Sequence, residues 1–475
     1  MKFEEYRKLF LQARATGNAN DMTLWATELL KIDDSLPYVW ANRGQGLAKM
    51  GFPIDAILNY DRALALETDT EQRAILFSNK GAAYWDMFKA DKALHWLLQA
   101  TAVYPMAQTY LTLGNIYKYQ GDLDKAIEAY RTCVKIDPEY ADGHLVLSMA
   151  LLKDGSLQEG WREYEWRWKT DQLPARKLKC PQWSGQDLTN KIILIYGEQG
   201  LGDILQFARY ARVLGNQFPR CKIILEGRPQ VKRLLETIPE VYSVINAGER
   251  LPELDYAVPM LTLAGILTPT IHSIPALEHE YFIRKSDVDV WEDRLQPLTS
   301  RAPEALKVGI CWAGMSRDEH PSAAAIDLLR STTLASFAPL ARIPNILWVS
   351  LQKGKPAEQI KTPPPGMTIG DFTEDMHDFY ETCCAVSNCD LVISVDTAVV
   401  HAAASVGVPT WVLSRWDGCW RWFGNREDSP WYPSLRQFVQ PSPGDWDGML
   451  ANVAKELIKL TEDKNEPELN LTLAK

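Results

Sequence analysis

The chain has 475 residues, more than one hydrophobic core fills, so about three domains are expected. Its 51 basic and 61 acidic residues leave a net charge of −10, which excludes the concentrated basic face that nucleic acid or an anionic membrane requires. No stretch approaches the roughly 18 apolar residues of a membrane span, and the charged start Met1–Arg7 leads into no apolar run, so a cytoplasmic protein is expected. Eight cysteines at irregular spacings, among them Cys383, Cys384 and Cys389, match neither paired metal ligands nor a disulfide framework and read as small buried side chains.

The first 170 residues repeat. Gly44, Gly81, Gly114 and Ser148 are separated by 37, 33 and 34 residues, and Ala56, Ala93, Ala126 and Gly160 follow each of them after twelve. Tyr60, Leu97, Tyr130 and Tyr164 keep the same step. Small residues where two helices approach and large ones where they interlock are what stacked helix-turn-helix pairs demand. The pattern resembles tetratricopeptide repeats, with four units preceded by a degenerate helix pair near residues 3 to 35 acting as a cap. Such an array implies recognition of a polypeptide partner on its concave face; self-association is the alternative use.

After Trp161–Trp168 a polar linker at 171–187 carries Pro174 and Pro181. The apolar period then changes. Continuous apolar runs at 192–196, 222–226 and 254–258, with helical stretches between them, predict a parallel α/β domain over residues 188–300. Runs at 307–312, 346–350 and 391–395 predict a second over 301–460, with a hinge near 284–306. The tail 461–475 is expected to be poorly ordered.

Three segments place polar groups where α/β sheets bind ligands. Gly200, Gly202 and Asp203 lie in the turn after the first run and open a helix expected over Ile204–Val213. Asp203 reads equally as a helix N-cap or as a general base for an acceptor hydroxyl, with Glu198 as a competing carboxylate. Asp396, Thr397 and Ala398 start a helix expected over Val399–Ser405, whose unpaired amides suit a diphosphate. His401 lies one turn in and reads evenly as a packing residue or a site residue. Arg330 and Ser331 lead into a helix expected over Leu334–Leu340; Arg330 offers a planar fork for phosphate, and Lys353 is a weaker candidate of the same kind. The tryptophans 411, 416, 420, 422 and 431 read mainly as interface packing, with ring stacking on a ligand as the alternative. Asp287-Val288-Asp289 and Asp445-Trp446-Asp447 follow no buried strand, so they read as solvated acids and no metal is expected.

The strings Gly197–Tyr210, Val308–Gly314, Ser350–Gly354, Asp390–His401 and Arg426–Pro433 resemble the catalytic region of glycosyltransferase family 9, the heptosyltransferase-like group, in the form fused to N-terminal tetratricopeptide repeats. With the repeats the likeness spans nearly the whole chain. It implies an all-α repeat solenoid followed by a GT-B fold of two Rossmann-like domains, acting as an inverting, metal-independent glycosyltransferase on a nucleotide-diphosphate sugar, with no separate cofactor. By the resemblance Asp203 takes the base position and Arg330 the cationic position near the donor phosphates. Asp396, Thr397, Ala398 and His401 form the donor loop, and Gly200, Gly202, Trp312, Ser331 and Lys353 line the same binding region. The acceptor expected is a protein held by the repeats. A glycan or lipopolysaccharide transferase, and a non-catalytic scaffold, are the alternatives. Ala398 stands where lipopolysaccharide heptosyltransferases usually carry glycine, so the resemblance does not name the donor sugar.

Overall fold

The computed structural model describes residues 2–170, 176–275, 277–315, 327–424 and 426–465. Two compact units emerge: Met1–Ala150 with Trp166–Leu173, and Leu151–Glu165 with Pro174–Lys475.

The first unit is a stack of helix pairs: Lys2–Thr16 with Ala19–Leu30, Pro37–Lys49 with Pro53–Leu66, Thr70–Asp86 with Ala90–Val103, and Ala107–Tyr119 with Leu123–Ile136. The helix Ala141–Asp154 follows, and the units divide within it, after Ala150. The small-to-large spacing of the sequence has a direct steric cause. A Cβ on Gly44 would lie 2.6 Å from the ring of Tyr60, on Gly81 2.6 Å from Leu97, and on Gly114 2.3 Å from Tyr130. Tyr130 and Leu97 are wholly buried, so neither ring nor branch has room to retreat. Gly114→Ala is therefore expected to destabilise the stack by about 1–3 kcal/mol through overpacking, read as a lower denaturation midpoint. An unchanged midpoint would show that Tyr130 moves freely.

The turn between paired helices takes a positive φ, met by Gly51 and Gly121, both at +83°, but by Phe88 at +55° between Thr70–Asp86 and Ala90–Val103. The exposed Phe88 ring is held beside Trp85 (5.9 Å) and Tyr119 (6.0 Å), an aromatic cluster that offsets the backbone cost.

The second unit holds two sheets whose strands pair in parallel. The first contains β1 (Ile192–Tyr196), β2 (Lys222–Gly227), β3 (Val241–Asn246) and β4 (Tyr256–Pro259) in the order β3-β2-β1-β4. The second contains β5 (Leu306–Cys311), β6 (Ile346–Ser350), β7 (Ile369–Asp371), β8 (Leu391–Val395), β9 (Thr410–Ser414) and β10 (Leu435–Val439) in the order β10-β9-β8-β5-β6-β7. Strand order reverses between β1 and β4 and again between β5 and β8. At such a point neighbouring loops leave in opposite directions and open a crevice beyond the strand C-termini. The predicted site segments follow β1, β5 and β8, so they flank both crevices.

β6, β8 and β9 are buried along their whole length, as strands covered on both faces must be. The second core joins Val308, Ile310, Ile393 and Leu413 to Leu450, Val453 and Leu457 of the helix Trp446–Asn465, each fully buried apolar side chain contributing about 1.5–3 kcal/mol.

Several local expectations are revised. The helix Leu157–Tyr164 lies in the fourth predicted repeat but groups with the α/β unit, because Trp161 packs edge-on against Phe207 (6.2 Å) and Trp420 (5.4 Å). Of the linker, residues 171–175 with Pro174 lie outside the described residues. Its remainder joins the first sheet, where Trp183 is buried and its amide donates to the Ala257 carbonyl at 2.9 Å. The hinge segment contains a helix, Lys285–Thr299, whose Trp291 donates to Glu381 at 2.5 Å. The tail is helical to Asn465, as the end of a helix whose residues Met449, Leu450, Val453 and Leu457 pack in the second core; residues 466–475 lie outside the described residues. Asp287 and Asp447 sit in first helical turns, and Asp287, expected to be solvated, instead accepts the Tyr380 hydroxyl at 2.7 Å.

Candidate active site

β1 is an unbroken apolar strand, and Gly197 follows it where a Cβ would strike Ile204 at 2.7 Å, so the chain can turn tightly into the next helix. That helix spans Leu201–Phe207, and a second one, Arg209–Gln217, begins after Ala208. The single helix expected over Ile204–Val213 is divided because Arg209 Nε takes up the Gln206 carbonyl at 2.8 Å, an acceptor the helical ladder would otherwise use.

Asp203 is not the N-cap. Gly200 holds that position, and Asp203 lies three residues in, its Oδ2 accepting the Gly200 amide at 2.9 Å. Its other oxygen, Oδ1, accepts a short hydrogen bond from Arg421, both side chains being largely buried at 17% and 13% exposure. Burial opposes the Arg421 charge, but the Asp203 carboxylate overrides it and holds the guanidinium above its ordinary value. Glu198 faces elsewhere: its Oε1 accepts the Leu261 amide at 3.2 Å, at the start of the helix Met260–Leu267.

Across from this helix, β8 delivers Asp396 and Thr397. The Thr397 hydroxyl caps the helix Ala398–Ser405 by accepting the Val399 amide at 3.3 Å. His401 is buried, hydrogen-bonded through Nδ1 to the Tyr432 hydroxyl at 3.0 Å, with its ring stacked on Trp422 at 5.2 Å. Burial, with the charges of Arg421 and Arg209, holds its pKa well below the usual histidine value, so it is neutral. Its edge meets the first helix, where a Cβ on Gly202 would lie 2.9 Å from His401 and 3.6 Å from Ala398. Glycine at 202 is what lets the two helices touch.

Arg330 lies on the third segment. It donates to the Asp396 carbonyl at 3.0 Å, pairs with Asp327 at 2.7 Å and covers Gly314, where a Cβ would lie 2.8 Å from it. The Ser331 hydroxyl accepts the Gly314 amide at 3.0 Å. Trp312 is wholly buried in the second core. The helix expected over Leu334–Leu340 is instead a 3₁₀ turn, Leu334–Phe337, followed by Ala338–Ala341, since Pro339 has no amide with which to continue a ladder. Burial pushes the Asp396 carboxyl up, while Arg330 and Arg421 pull it down. The two guanidiniums thus act on one carboxyl at the start of the Ala398–Ser405 helix.

Gly200, Gly202, Asp203, Asp396, Thr397, Ala398, His401, Arg330, Ser331 and Trp312 are therefore linked by contact or through the loops they share. Lys353 is not: its ammonium goes to the Met376 carbonyl, where it holds a loop. Trp420 packs on Trp161 and Phe207, Trp422 on His401, Trp431 on Phe207 and Trp411 on Phe438, so these rings serve packing. Two contributors escape sequence reasoning. Arg421 is a single cation set between Trp420 and Trp422, and that flanking is its only signal. Gln352, fully buried, accepts the Trp312 and Ala313 amides at 3.0 and 2.8 Å and fixes the loop after β5. Among the described residues no group of three or more His, Cys, Asp or Glu side chains could hold a metal ion, and no helix is long and apolar enough to cross a membrane.

Residues 107–140 match the family model described as tetratricopeptide repeat. Protein FlbA of Caulobacter vibrioides is 27% identical over 343 residues, covering 65% of this chain and 53% of its own length. The BBSome complex member BBS4 of Bos taurus is 35% identical over 83 residues, 18% of this chain and 16% of its own. The chain thus spans about half, or less, of the length of these curated relatives. Among solved structures, MamA matches 34% of this chain and 93% of its own at 24% identity, with a TM-score of 0.29. A glycosyl transferase family 9 protein from Veillonella parvula matches 59% of this chain and 99% of its own at 12% identity, with a TM-score of 0.39.

Proposed function

We propose that the α/β unit is a GT-B glycosyltransferase that moves a sugar from a nucleotide-diphosphate donor to an acceptor hydroxyl with inversion, and that the helical repeats hold a polypeptide acceptor. The observation that carries this reading is the close approach at Gly202, where the helix that carries Asp203, after β1 of one sheet, meets Ala398 and His401 of the helix after β8 of the other. The acceptor oxygen attacks the anomeric carbon, its proton passes to Asp203, and the bond from that carbon to the diphosphate breaks with the electron pair leaving on the phosphate oxygen. The leaving diphosphate is stabilised by Arg330 and by the Thr397–Ala398 helix start, where a guanidinium fork and unpaired amides meet developing negative charge. A nucleoside diphosphate needs little protonation to depart, so electrostatics dominates and the neutral His401 serves as the wall that fixes Gly202. The base assignment favours Asp203 over Glu198, whose carboxylate is engaged in capping another helix.

The test offers the full chain a panel of nucleotide-diphosphate sugars, each with host protein extract, and follows nucleoside diphosphate release together with intact polypeptide mass. One donor is expected to release its nucleotide while a polypeptide gains the mass of one sugar. Release from none of the panel contradicts the transferase reading; release without a polypeptide shift removes only the protein acceptor.

A further inference from the structure

One ion pair in this site is arranged for exchange. Asp203 belongs to the first sheet's helix and Arg421 to the segment after β9, 218 residues away, and each is largely withdrawn from water. A buried guanidinium and carboxylate joined in this way neutralise each other at the cost of their hydration, so the pair is stable only while nothing more anionic competes. Arg421 is also felt by Asp396 and by His401, the two residues that bracket the Thr397 helix start. It stands between the carboxylate on one side and the phosphate-facing groups on the other.

The backbone around it is fixed. Trp420 is held by Trp161 and Phe207, Trp422 is stacked on His401, and both are buried. Phe423, the next residue, has φ +61° and ψ 174°, a conformation essentially confined to glycine, and it is buried as well. A strained backbone held from both sides points to a function for the segment it presents. Besides Asp203, the Arg421 guanidinium meets softer groups, among them the face of Trp420 at 4.3 Å and the Cys419 sulfur at 3.2 Å.

We propose that Arg421 is an exchangeable counter-ion, paired with Asp203 when the site is empty and transferred to the diphosphate of a bound nucleotide when it is filled. This rests on the transferase reading above. The exchange couples the two halves of the reaction. Donor binding removes the guanidinium from Asp203 Oδ1, leaving that oxygen open to an acceptor hydroxyl, and adds a second guanidinium beside Arg330 at the leaving group. Until the donor is present, Asp203 Oδ1 is held by Arg421 and closed to an acceptor hydroxyl.

The prediction is a competition. Uridine, guanosine, adenosine, cytidine and thymidine diphosphates are titrated separately into the full chain, and the affinity of whichever binds is compared across variants. Asp203→Asn removes the competitor while keeping the acceptor for the Gly200 amide, and it is expected to tighten nucleoside diphosphate binding by about tenfold, the equivalent of one charge-assisted hydrogen bond freed. Arg421→Gln weakens it by about tenfold, Arg421→Lys restores most of the loss, and Asp203→Asn added to Arg421→Gln has no further effect. A gain in Asp203→Asn that vanishes when Arg421→Gln is also present separates exchange from the mere loss of a repelling charge; a gain that persists there overturns the exchange. Binding that is equal in wild type, Asp203→Asn and Arg421→Gln overturns the exchange and leaves the transferase reading standing. No binding of any diphosphate by any variant overturns both.

Discussion

Asp203→Asn is expected to lower the rate of sugar transfer by two or more orders of magnitude while leaving the fold intact. A general base contributes about 10²- to 10⁴-fold, and the amide keeps the size and the Gly200 hydrogen bond of the carboxylate but accepts no proton. The helix Leu201–Phe207 should therefore retain its start, and Gly202 its contact with His401. The check pairs the initial rate of nucleoside diphosphate release with the denaturation midpoint of the same preparation. A hundredfold slower rate in a protein that still unfolds cooperatively, its midpoint lowered only by the lost Arg421 ion pair, is the expected pair of results. Full activity would remove Asp203 from the mechanism. Because this variant is also expected to bind nucleoside diphosphate more tightly, it separates binding from chemistry: affinity rises as turnover falls.

Glu280→Ala is expected to destabilise the α/β unit by about 3–5 kcal/mol, the usual effect of stripping one partner from a buried charge pair. Arg209 and Glu280 have side chains 0% and 1% exposed and are hydrogen-bonded to each other. Burial pushes the Glu280 carboxyl up, Arg209 opposes that rise, and Glu280 in turn holds the Arg209 guanidinium charged. Arg209 has further partners: the Trp431 carbonyl at 2.6 Å, the Pro275 carbonyl at 3.2 Å and the face of Tyr432 at 4.6 Å. Removing Glu280 strands the guanidinium among groups that accept a hydrogen bond but carry no charge. Tyr432 also holds His401, so the loss reaches the site. A large drop in the denaturation midpoint of the α/β transition is the outcome that checks this. A change under about 1 kcal/mol would mean that water enters and solvates Arg209.

The repeat region was legible because its constraint is periodic. Gly44, Gly81 and Gly114 face Tyr60, Leu97 and Tyr130 at a fixed offset of sixteen residues, and the steric demand that produces the offset is local to one helix pair. The strands β1, β2, β5, β6 and β8 were legible for a related reason: strands covered on both faces read as continuous apolar runs. β9 was hidden inside the tryptophan-rich stretch, where Trp411 looked like part of a ring cluster although it is a strand residue packed on Phe438. β3 lies at the edge of its sheet and is only partly buried, so its apolar signal is weak.

Within the site, sequence found the groups that sit in turns after strands and missed those defined by distant pairing. Asp203 was visible from its glycines, but its position inside the helix and its attachment to Arg421 depend on a contact with the far end of the chain. Lys353 shows the converse. Its position after a buried strand suggested a phosphate ligand, yet the length of a lysine side chain allows it to reach the Met376 carbonyl instead. A residue's place in the chain fixes which loop it occupies, and only the packing of that loop fixes what its side chain meets.

The most direct measurement is the position of a nucleoside diphosphate bound to the full chain, determined crystallographically. The account predicts the diphosphate at the Thr397–Ala398 helix start, contacted by Arg330 and by an Arg421 that has left Asp203. A nucleotide bound instead at the opposite end of the second sheet, in the cavity of about 390 Å³ lined by Leu306, Asp390, Trp411 and Arg436, would contradict it.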